Sequence, residues 1–318
     1  MMQFSTKIPI PKSNHPIDYQ SQIVSLGSCF AVNMAEKLEY FKFSNTCNPF
    51  GILFHPEAIH EIIRKAVLHS PFTEADIFSH NGLWHSFAVH SDLSHPEKET
   101  FLLHLNELLA SANNQIQSAT HIIITYGTAW VYRENESSRL VANCHKVPQS
   151  QFTKELLSPD AIQSAMSQTI GLIQKTNPNC KTIFTVSPVR HIKDGFTENQ
   201  RSKAHLITAI HNQLQTDCQL TTAYFPSYEI MMDELRDYRF YAEDLLHPNQ
   251  TAIDYIWERF CESYISEKAN PVMETINGIQ KALQHKPFHP DSESHQQFLS
   301  ALQKKILALQ QQFPGIHF

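Results

Sequence analysis

Two separated segments of the chain carry residues that together could attack an acyl group. Ser28 follows Gly27 and an apolar run at 23–26 that predicts a short buried strand, and it precedes a predicted helix at 31–38. A serine at such a turn presents its hydroxyl, and the helix N-terminus offers backbone N–H groups to a developing oxyanion. Gly-Ser turns are also common as structural features, so the second segment decides the interpretation.

The second segment is a short loop in which an acid and an imidazole stand three residues apart. His247 can accept the proton of a serine hydroxyl, and Asp244 can orient the imidazole ring and stabilise its charged form. Pro248 suits the first position of a helix predicted from 248 to about 265, which places His247 at the lip of that helix. In the alternative interpretation Asp244 only caps a turn and His247, one of 19 histidines, is an ordinary surface residue.

Long strings of uncommon residues accompany the two segments. They are GSCFA at 27–31, NPFG at 48–51, VANCHK at 141–146, VSPVRH at 186–191, YFPSYE at 224–229 and DELRDYRFY at 233–241. Through them most of residues 20–265 resembles the GSCFA-domain family and, more broadly, the SGNH (GDSL-like) hydrolase superfamily. The resemblance implies a three-layer α/β/α, flavodoxin-like fold, with the nucleophile at Ser28 and its acid–base pair at Asp244 and His247.

The resemblance also implies an oxyanion site, in which this chain departs from the superfamily pattern. The backbone N–H groups of Ser28 and Gly51 are the expected donors. The superfamily usually adds an asparagine in a Gly-x-Asn setting after a later strand, but the matching string at 126–130 is YGTAW. Thr128, Thr125 or Asn48 is therefore expected to supply the missing donor. Loss of one such donor typically costs about 3 kcal/mol of transition-state stabilisation.

Further polar residues and glycines are candidates for the same site. Gly127 falls in a predicted site loop, as Gly27 and Gly51 do, and close backbone approach to a ligand favours glycine. Arg190, with its neighbour at 191, either binds an anionic substrate group, fixes a lid or forms an ion pair with the acids of 233–244. His145 either contacts the substrate or satisfies loop carbonyl groups.

The six cysteines are scattered, with no Cys-x-x-Cys spacing, which predicts free thiols in a reducing compartment. Cys29 is an alternative nucleophile to Ser28, because a helix N-terminus can lower the pKa of a thiol. Neighbouring side chains at such a turn point in different directions, so only one of Ser28 and Cys29 faces the cleft. We expect that residue to be Ser28.

Composition excludes several classes of function. The 318 residues carry 31 acids against 25 bases, a net charge of −6, and no basic cluster with interleaved aromatic residues, so nucleic-acid binding is not expected. No run approaches the ~20 apolar residues that cross a bilayer. Residues 1–16 lack the apolar region of a signal peptide, which predicts a cytoplasmic protein.

Alternating apolar strands and amphipathic helices predict a mostly parallel sheet with helices on both faces. The strands are expected near 23–26, 122–125, 182–186 and 221–225, and further helices near 56–67, 97–109, 159–176 and 198–214. Ligands bind beyond the carboxyl ends of such strands. Ser28, the 125–127 segment and the 187–188 segment all follow strand ends, so they are expected to share one rim.

Two regions depart from this alternation. Residues 70–100 carry His80, His85, His90 and His95 and are predicted to be an insertion that caps the site; a spacing of five residues suits no familiar metal-ligand pair, so no metal is predicted. Residues 267–318 are predicted to extend the domain formed by residues 1–266. A polar helix at 291–312 in this tail either packs back on the domain or mediates self-association.

These observations predict a serine hydrolase or acyltransferase that needs no cofactor. Its expected substrate is a small-molecule or carbohydrate ester, with a small acyl group on a carbohydrate-like or lipid-like alcohol. Two alternatives stay open. The fold acts as a ligand-binding or scaffold module with weak or no catalysis, or Cys29 carries out thiol chemistry.

Overall fold

The computed structural model describes residues 6–217 and 221–318, and at its centre lies a five-stranded parallel sheet. Its strands are β1 (Gln22–Gly27), β2 (Ser44–Cys47), β5 (His121–Tyr126), β9 (Lys181–Val186) and β10 (Thr222–Phe225). They lie in the order β10-β9-β5-β1-β2, and every neighbouring pair is parallel. The predicted parallel sheet is confirmed, and β1 lies inside it with a partner on each side.

Helices cover both faces of this sheet, which gives the three-layer α/β/α arrangement. One face carries α2 (Pro56–Val67), α3 (Lys98–Ser118), α4 (Pro159–Thr176) and α5 (Phe196–Thr216), and the other carries α1 (Cys29–Tyr40) and α7 (Gln250–Tyr264). The short α6 (Ser227–Glu229) adds Tyr228 to the core under α2 to α5. Successive side chains of a strand point to opposite faces. Accordingly Val24 and Leu26 of β1 join the core under α2 to α5, and Ile23 joins the core under α1 and α7.

Side chains immediately before three helices fix where those helices begin. The ring Nδ1 of His55 accepts from the N–H of Ala58, and Ser158 Oγ accepts from Ala161, in each case with proline at the first helical position. The prediction for α7 was wrong by two residues. Asn249 is its N-cap, since Oδ1 accepts from Ala252, and Pro248 precedes the cap.

Two smaller antiparallel sheets lie outside the central one. The strands β3 (Phe78–His80) and β4 (Leu83–His85) form a hairpin, while β6 (Trp130–Glu134), β7 (Leu140–Val141) and β8 (Phe152–Leu156) pair in the order β7-β6-β8. The 70–100 region packs through His90, whose N–H donates to the Phe50 carbonyl at 3.0 Å. Across 6–217 and 221–318, no group of three or more His, Cys, Asp or Glu side chains is arranged to hold a metal ion.

The C-terminal region is a pair of helices, α8 (Asn270–Leu283) and α9 (Glu293–Gln312). They share a small apolar cluster that includes Ile276, Leu302 and Ile306. The pair reaches the end of α1, where the Tyr40 hydroxyl donates to Asn277 Oδ1 at 2.9 Å and Gln280 Nε2 donates to the Tyr40 carbonyl at 3.1 Å. None of the helices in the described ranges is long and apolar enough to cross a bilayer.

Candidate active site

Ser28 lies at the carboxyl end of β1 and precedes the first residue of α1. Gly27 before it has φ 133°, and a Cβ there would lie 2.1 Å from the carbonyl oxygen of Thr125, so a side chain does not fit. The N–H of Ser28 donates to that same oxygen at 3.0 Å. The side chain is fully buried, forms no capping bond and has no partner for its hydroxyl. The strand contact thus fixes the serine backbone while the hydroxyl stays uncommitted.

Asp244 and His247 form a hydrogen-bonded pair on a loop where each side chain is nearly half exposed. The imidazole Nδ1 lies 2.5 Å from Asp244 Oδ2, and Asp244 Oδ1 accepts from the N–H groups of Leu246 at 2.9 Å and His247 at 3.0 Å. These two N–H groups, followed by the imidazole, lower the pKa of Asp244 to about 2. With a carboxylate at Nδ1, the nitrogen of His247 that is available to accept a proton is Nε2.

Arg190 connects this loop to the segment after β9. Its guanidinium donates to the Leu245 carbonyl and stacks on Tyr241, 4.5 Å from the ring centroid, and on Tyr238, 5.4 Å away. Its backbone N–H donates to the Leu246 carbonyl at 3.3 Å. Within the described ranges it forms no ion pair with the acids at 233–244. These contacts hold the loop before His247, and the roles predicted for Arg190 in binding an anionic substrate group or fixing a lid stay predictions.

His191 and Phe54 pack beside Ser28 around Gly127. A Cβ added to Gly127 would lie 3.1 Å from Phe54 Cδ1, 3.2 Å from Ser28 Cβ and 3.4 Å from His191 Nε2. Burial, followed by the charges of Lys203 and His247, lowers the pKa of His191 to about 3, so the ring is neutral. Its Nε2 is buried without a partner. Phe54, His191 and Gly127 thus form the immediate surroundings of the fully buried Ser28 side chain.

Asn48 and Gly51 lie in the tight turn that follows β2. Asn48 has φ 44°, and its Oδ1 accepts from the N–H of Gly27 at 2.7 Å. The N–H of Gly51 donates to the Asn48 carbonyl at 2.8 Å, just as that of Ser28 donates to Thr125. The expectation that these two N–H groups bind the oxyanion is therefore corrected, because both are already used. Asn48 Nδ2 and Thr125 Oγ1 are both buried without a partner, so these two of the predicted donors are uncommitted.

Thr128 and His145 are engaged away from the serine. Thr128 Oγ1 lies 3.0 Å from Ser202 Oγ and accepts from the N–H of Trp130 at 3.0 Å. His145 Nε2 donates to the Ser86 carbonyl at 2.7 Å, and burial lowers the pKa of this histidine to about 4. For His145 the contacts support the interpretation that it satisfies a loop carbonyl.

The sequence analysis missed a row of polar side chains on the buried face of α5. The row consists of Asn199, Ser202 and Lys203. Asn199 Oδ1 accepts from the N–H of His191 at 2.9 Å, and Ser202 Oγ accepts from the N–H of Ala129 at 2.7 Å. Lys203 Nζ donates to the carbonyl oxygens of Gly127 and Ser187 at 2.7 Å each. A signal existed, since positions 199, 202 and 203 continue the helical spacing of the buried apolar residues at 206, 209 and 210.

Cys29, the rival nucleophile, is not activated by its surroundings. Burial raises the pKa of its thiol, and the smaller opposing effects of Lys203 and of the N–H groups in the first turn of α1 do not reverse that shift. The cysteines of the described ranges are free thiols: Cys29, Cys47, Cys144, Cys180 and Cys261. Cys218 and the first five residues of the N-terminal segment lie outside the described ranges.

A polar cleft of about 810 Å³ lies apart from the serine. It runs between α2 and the β6–β7 hairpin, and charges of both signs line it, among them Glu57, Arg64, Asp76 and Arg139. Most of these charges are paired: Arg64 with Glu61 at 2.7 Å, and Asp76 with Lys65 at 3.7 Å. The cleft does not include Ser28 or His247.

Two protein-family models match the chain. The model described as "GSCFA family" matches residues 22–260, and the one described as "GSCFA domain protein, C-terminal domain" matches residues 276–318. The first match covers every residue of the candidate site, from Ser28 to His247. A search of curated proteins finds no match.

Proposed function

Since this chain belongs to the GSCFA family, we propose that it is a serine hydrolase or acyltransferase of the SGNH type. Its substrate is an ester of a small acyl group with a carbohydrate-like or lipid-like alcohol. The chemistry resides at Ser28, Asp244 and His247, and requires no cofactor.

One observation carries this proposal: Ser28 and two side chains close to it have buried polar atoms without hydrogen-bond partners. Ser28 Oγ, Asn48 Nδ2 and His191 Nε2 are all buried and unpaired. Buried polar groups in proteins are nearly always hydrogen-bonded, and the exceptions call for an explanation such as a catalytic role. A donor amide beside an uncommitted hydroxyl is the combination that an acyl carbonyl requires, since the hydroxyl attacks its carbon and the amide binds its oxygen.

The first chemical step is attack of Ser28 Oγ on the acyl carbonyl carbon. The serine proton passes to His247 Nε2, and Asp244 stabilises the imidazolium that forms. Asn48 Nδ2 and the N–H groups at the start of α1, which have no acceptor within the helix, stabilise the oxyanion. The tetrahedral intermediate then collapses, the alcohol leaves with the proton from His247, and the acyl group stays on Ser28.

The second step is transfer of the acyl group to water or to another alcohol. His247 removes the proton of that acceptor, and the reverse sequence regenerates Ser28. A substrate reaches the fully buried hydroxyl only when His191 and Phe54 move aside. The same movement is needed for His247 to reach Ser28 Oγ, which has no hydrogen-bond partner in the closed conformation.

The second candidate function is a ligand-binding module without turnover. The closed conformation favours it, because Ser28 Oγ has no hydrogen-bond partner and therefore no bond to His247. A bound ligand would then satisfy Ser28 and Asn48 without being cleaved.

Labelling with a fluorophosphonate probe, followed by intact-mass measurement, tests the proposal. The wild type is expected to take one adduct, Ser28→Ala none, and His247→Ala an adduct at a rate reduced by about 10²- to 10⁴-fold. Ser79→Ala, at an exposed position on β3, is the matched control for a serine removal and should label like the wild type.

Two results would contradict the proposal. If the folded wild type takes no adduct, the ligand-binding function is favoured. Tight ligand binding that persists in Ser28→Ala would then support that function. An adduct on Ser28→Ala that disappears in Cys29→Ser would instead assign the chemistry to the thiol.

A further inference from the structure

Lys203 carries a fully buried amine, and burial lowers its pKa from 10.5 to about 7, so the amine is charged below neutral pH. Its side chain is 1% exposed, and no ion pair in the described ranges includes it. Instead Nζ donates to the carbonyl oxygens of Gly127 and Ser187 at 2.7 Å each, and it lies 5.4 Å from the centroid of the Tyr228 ring. Burying an ammonium group costs free energy that only fixed acceptors offset. A lysine at this depth therefore calls for a role beyond packing.

The two carbonyl groups belong to different loops of the same rim. Gly127 follows β5, borders the Ser28 side chain, and donates its own N–H to the Phe54 carbonyl at 2.7 Å. Ser187 follows β9 and begins the loop that carries Arg190 and His191. One amine thus ties the loop beside the nucleophile to the loop that holds the acid–base segment.

The same amine places positive charge near the start of α1. When protonated, the amine opposes the burial that raises the pKa of the Cys29 thiol, and it adds to the burial that lowers the pKa of the His191 imidazole. Both groups flank Ser28, one along the chain and one across the Gly127 surface. A protonated Lys203 would in the same way favour a negative charge that develops at Ser28.

We propose that Lys203 is the positioning residue of this site: its amine holds the loops after β5 and β9 together and fixes the backbone beside Ser28. The catalytic consequence rests on the proposed function, whereas the tie and its charge do not. Asn199 and Ser202 on the same face of α5 bond to the same two loops, which makes the helix a template for the rim.

The test compares Lys203→Met, which keeps the shape of the side chain but removes donors and charge, with Lys203→Arg, which keeps both. We expect Lys203→Met to slow phosphonylation of Ser28 by about 10²-fold, the loss typical of a misplaced reacting group, and Lys203→Arg to recover most of the rate. Lys175→Met, at an exposed position on α4, is the control and should match the wild type.

Alkylation of Cys29 below pH 7, followed by peptide mass spectrometry, is a readout that does not depend on Ser28. Loss of the Lys203 charge should slow it by several-fold in Lys203→Met, whereas simple loosening of the structure would accelerate it. The inference would be overturned if Ser28 of Lys203→Met were phosphonylated at the wild-type rate, or if Cys29 of this variant were alkylated faster than in the wild type. If wild-type Ser28 takes no adduct, the proposed function fails and the alkylation rates alone decide on Lys203.

Discussion

Gly127→Ala places one methyl group at the point where the site closes. The added carbon would lie 3.1 Å from the Phe54 ring, 3.2 Å from Ser28 Cβ and 3.4 Å from His191 Nε2. Gly127 has no positive φ, so its backbone tolerates alanine without strain. The entire effect therefore arises from contacts among three side chains.

The size of the effect follows from which neighbours can move. Ser28 is fixed by its bond to Thr125, so Phe54 and His191 must each shift by a few tenths of an ångström. Overpacking of this kind costs about 1–3 kcal/mol, which in a chain of this length lowers the melting temperature by roughly 1–5 °C. The methyl group also crowds the Ser28 side chain, and a displacement of the reacting group by a few tenths of an ångström to 1 Å costs up to about 10²-fold in rate.

The assay is the rate of fluorophosphonate labelling at Ser28, with thermal melting of each variant measured beside it. Gly171→Ala is the matched control, because Gly171 lies within α4 with nothing within 4 Å of an added Cβ. That control should gain about 1 kcal/mol of stability and keep the wild-type rate. If Gly127→Ala labels within threefold of the wild type while Ser28→Ala does not label, the acyl group does not enter beside Gly127 and the reasoning is refuted.

Two further predictions concern ionisation. Asp244→Asn should reduce labelling by roughly 10²- to 10⁴-fold because the amide no longer holds the Nδ1–H tautomer of His247; an unchanged rate across pH 5–9 would exclude that role. Burial lowers the pKa of His55 from 6.5 to about 4, so its contribution to the free energy of unfolding is complete above 6.5 and falls by up to roughly 3 kcal/mol as the pH drops to 4. His55→Asn keeps a helix cap but removes the titrating group, so the free energy of unfolding, measured by denaturant titration at each pH, should fall less steeply between pH 6.5 and 4, by the uptake of one proton. The same pH dependence in the variant as in the wild type would contradict the prediction.

The sequence was sufficient to predict which segments meet at the carboxyl-terminal edge of the sheet, because this follows from the sheet topology. Parallel strands place their carboxyl ends at one edge, so Ser28, Gly127 and Ser187 could be assigned to one neighbourhood from the strand patterns alone. The helix caps at His55 and Ser158 were equally readable, since each stands directly before a proline. At α7 the local signals competed, and the Asn249 cap prevailed over Pro248.

Details that depend on tertiary contacts were not predictable. Whether an N–H is free depends on what faces it, and the N–H groups of Ser28 and Gly51 are consumed by Thr125 and by a turn at Asn48. The polar face of α5 was visible in the spacing, but its targets were not. Lys203 reaches Gly127 and Ser187 only because β5 and β9 are adjacent in the sheet, which no single segment of sequence reveals.

The two halves of the candidate site are held by very different amounts of structure. Ser28 directly follows β1, which pairs with the central strand β5, whereas Asp244 and His247 lie on a half-exposed loop that Arg190 holds by stacking and by bonds to two carbonyl groups. Segments with few buried contacts open with less free energy than core strands. Warming should therefore detach the loop of Asp244 and His247 while the sheet is still folded. The temperature at which reactivity is lost would then lie below the melting temperature, and cooling would restore it.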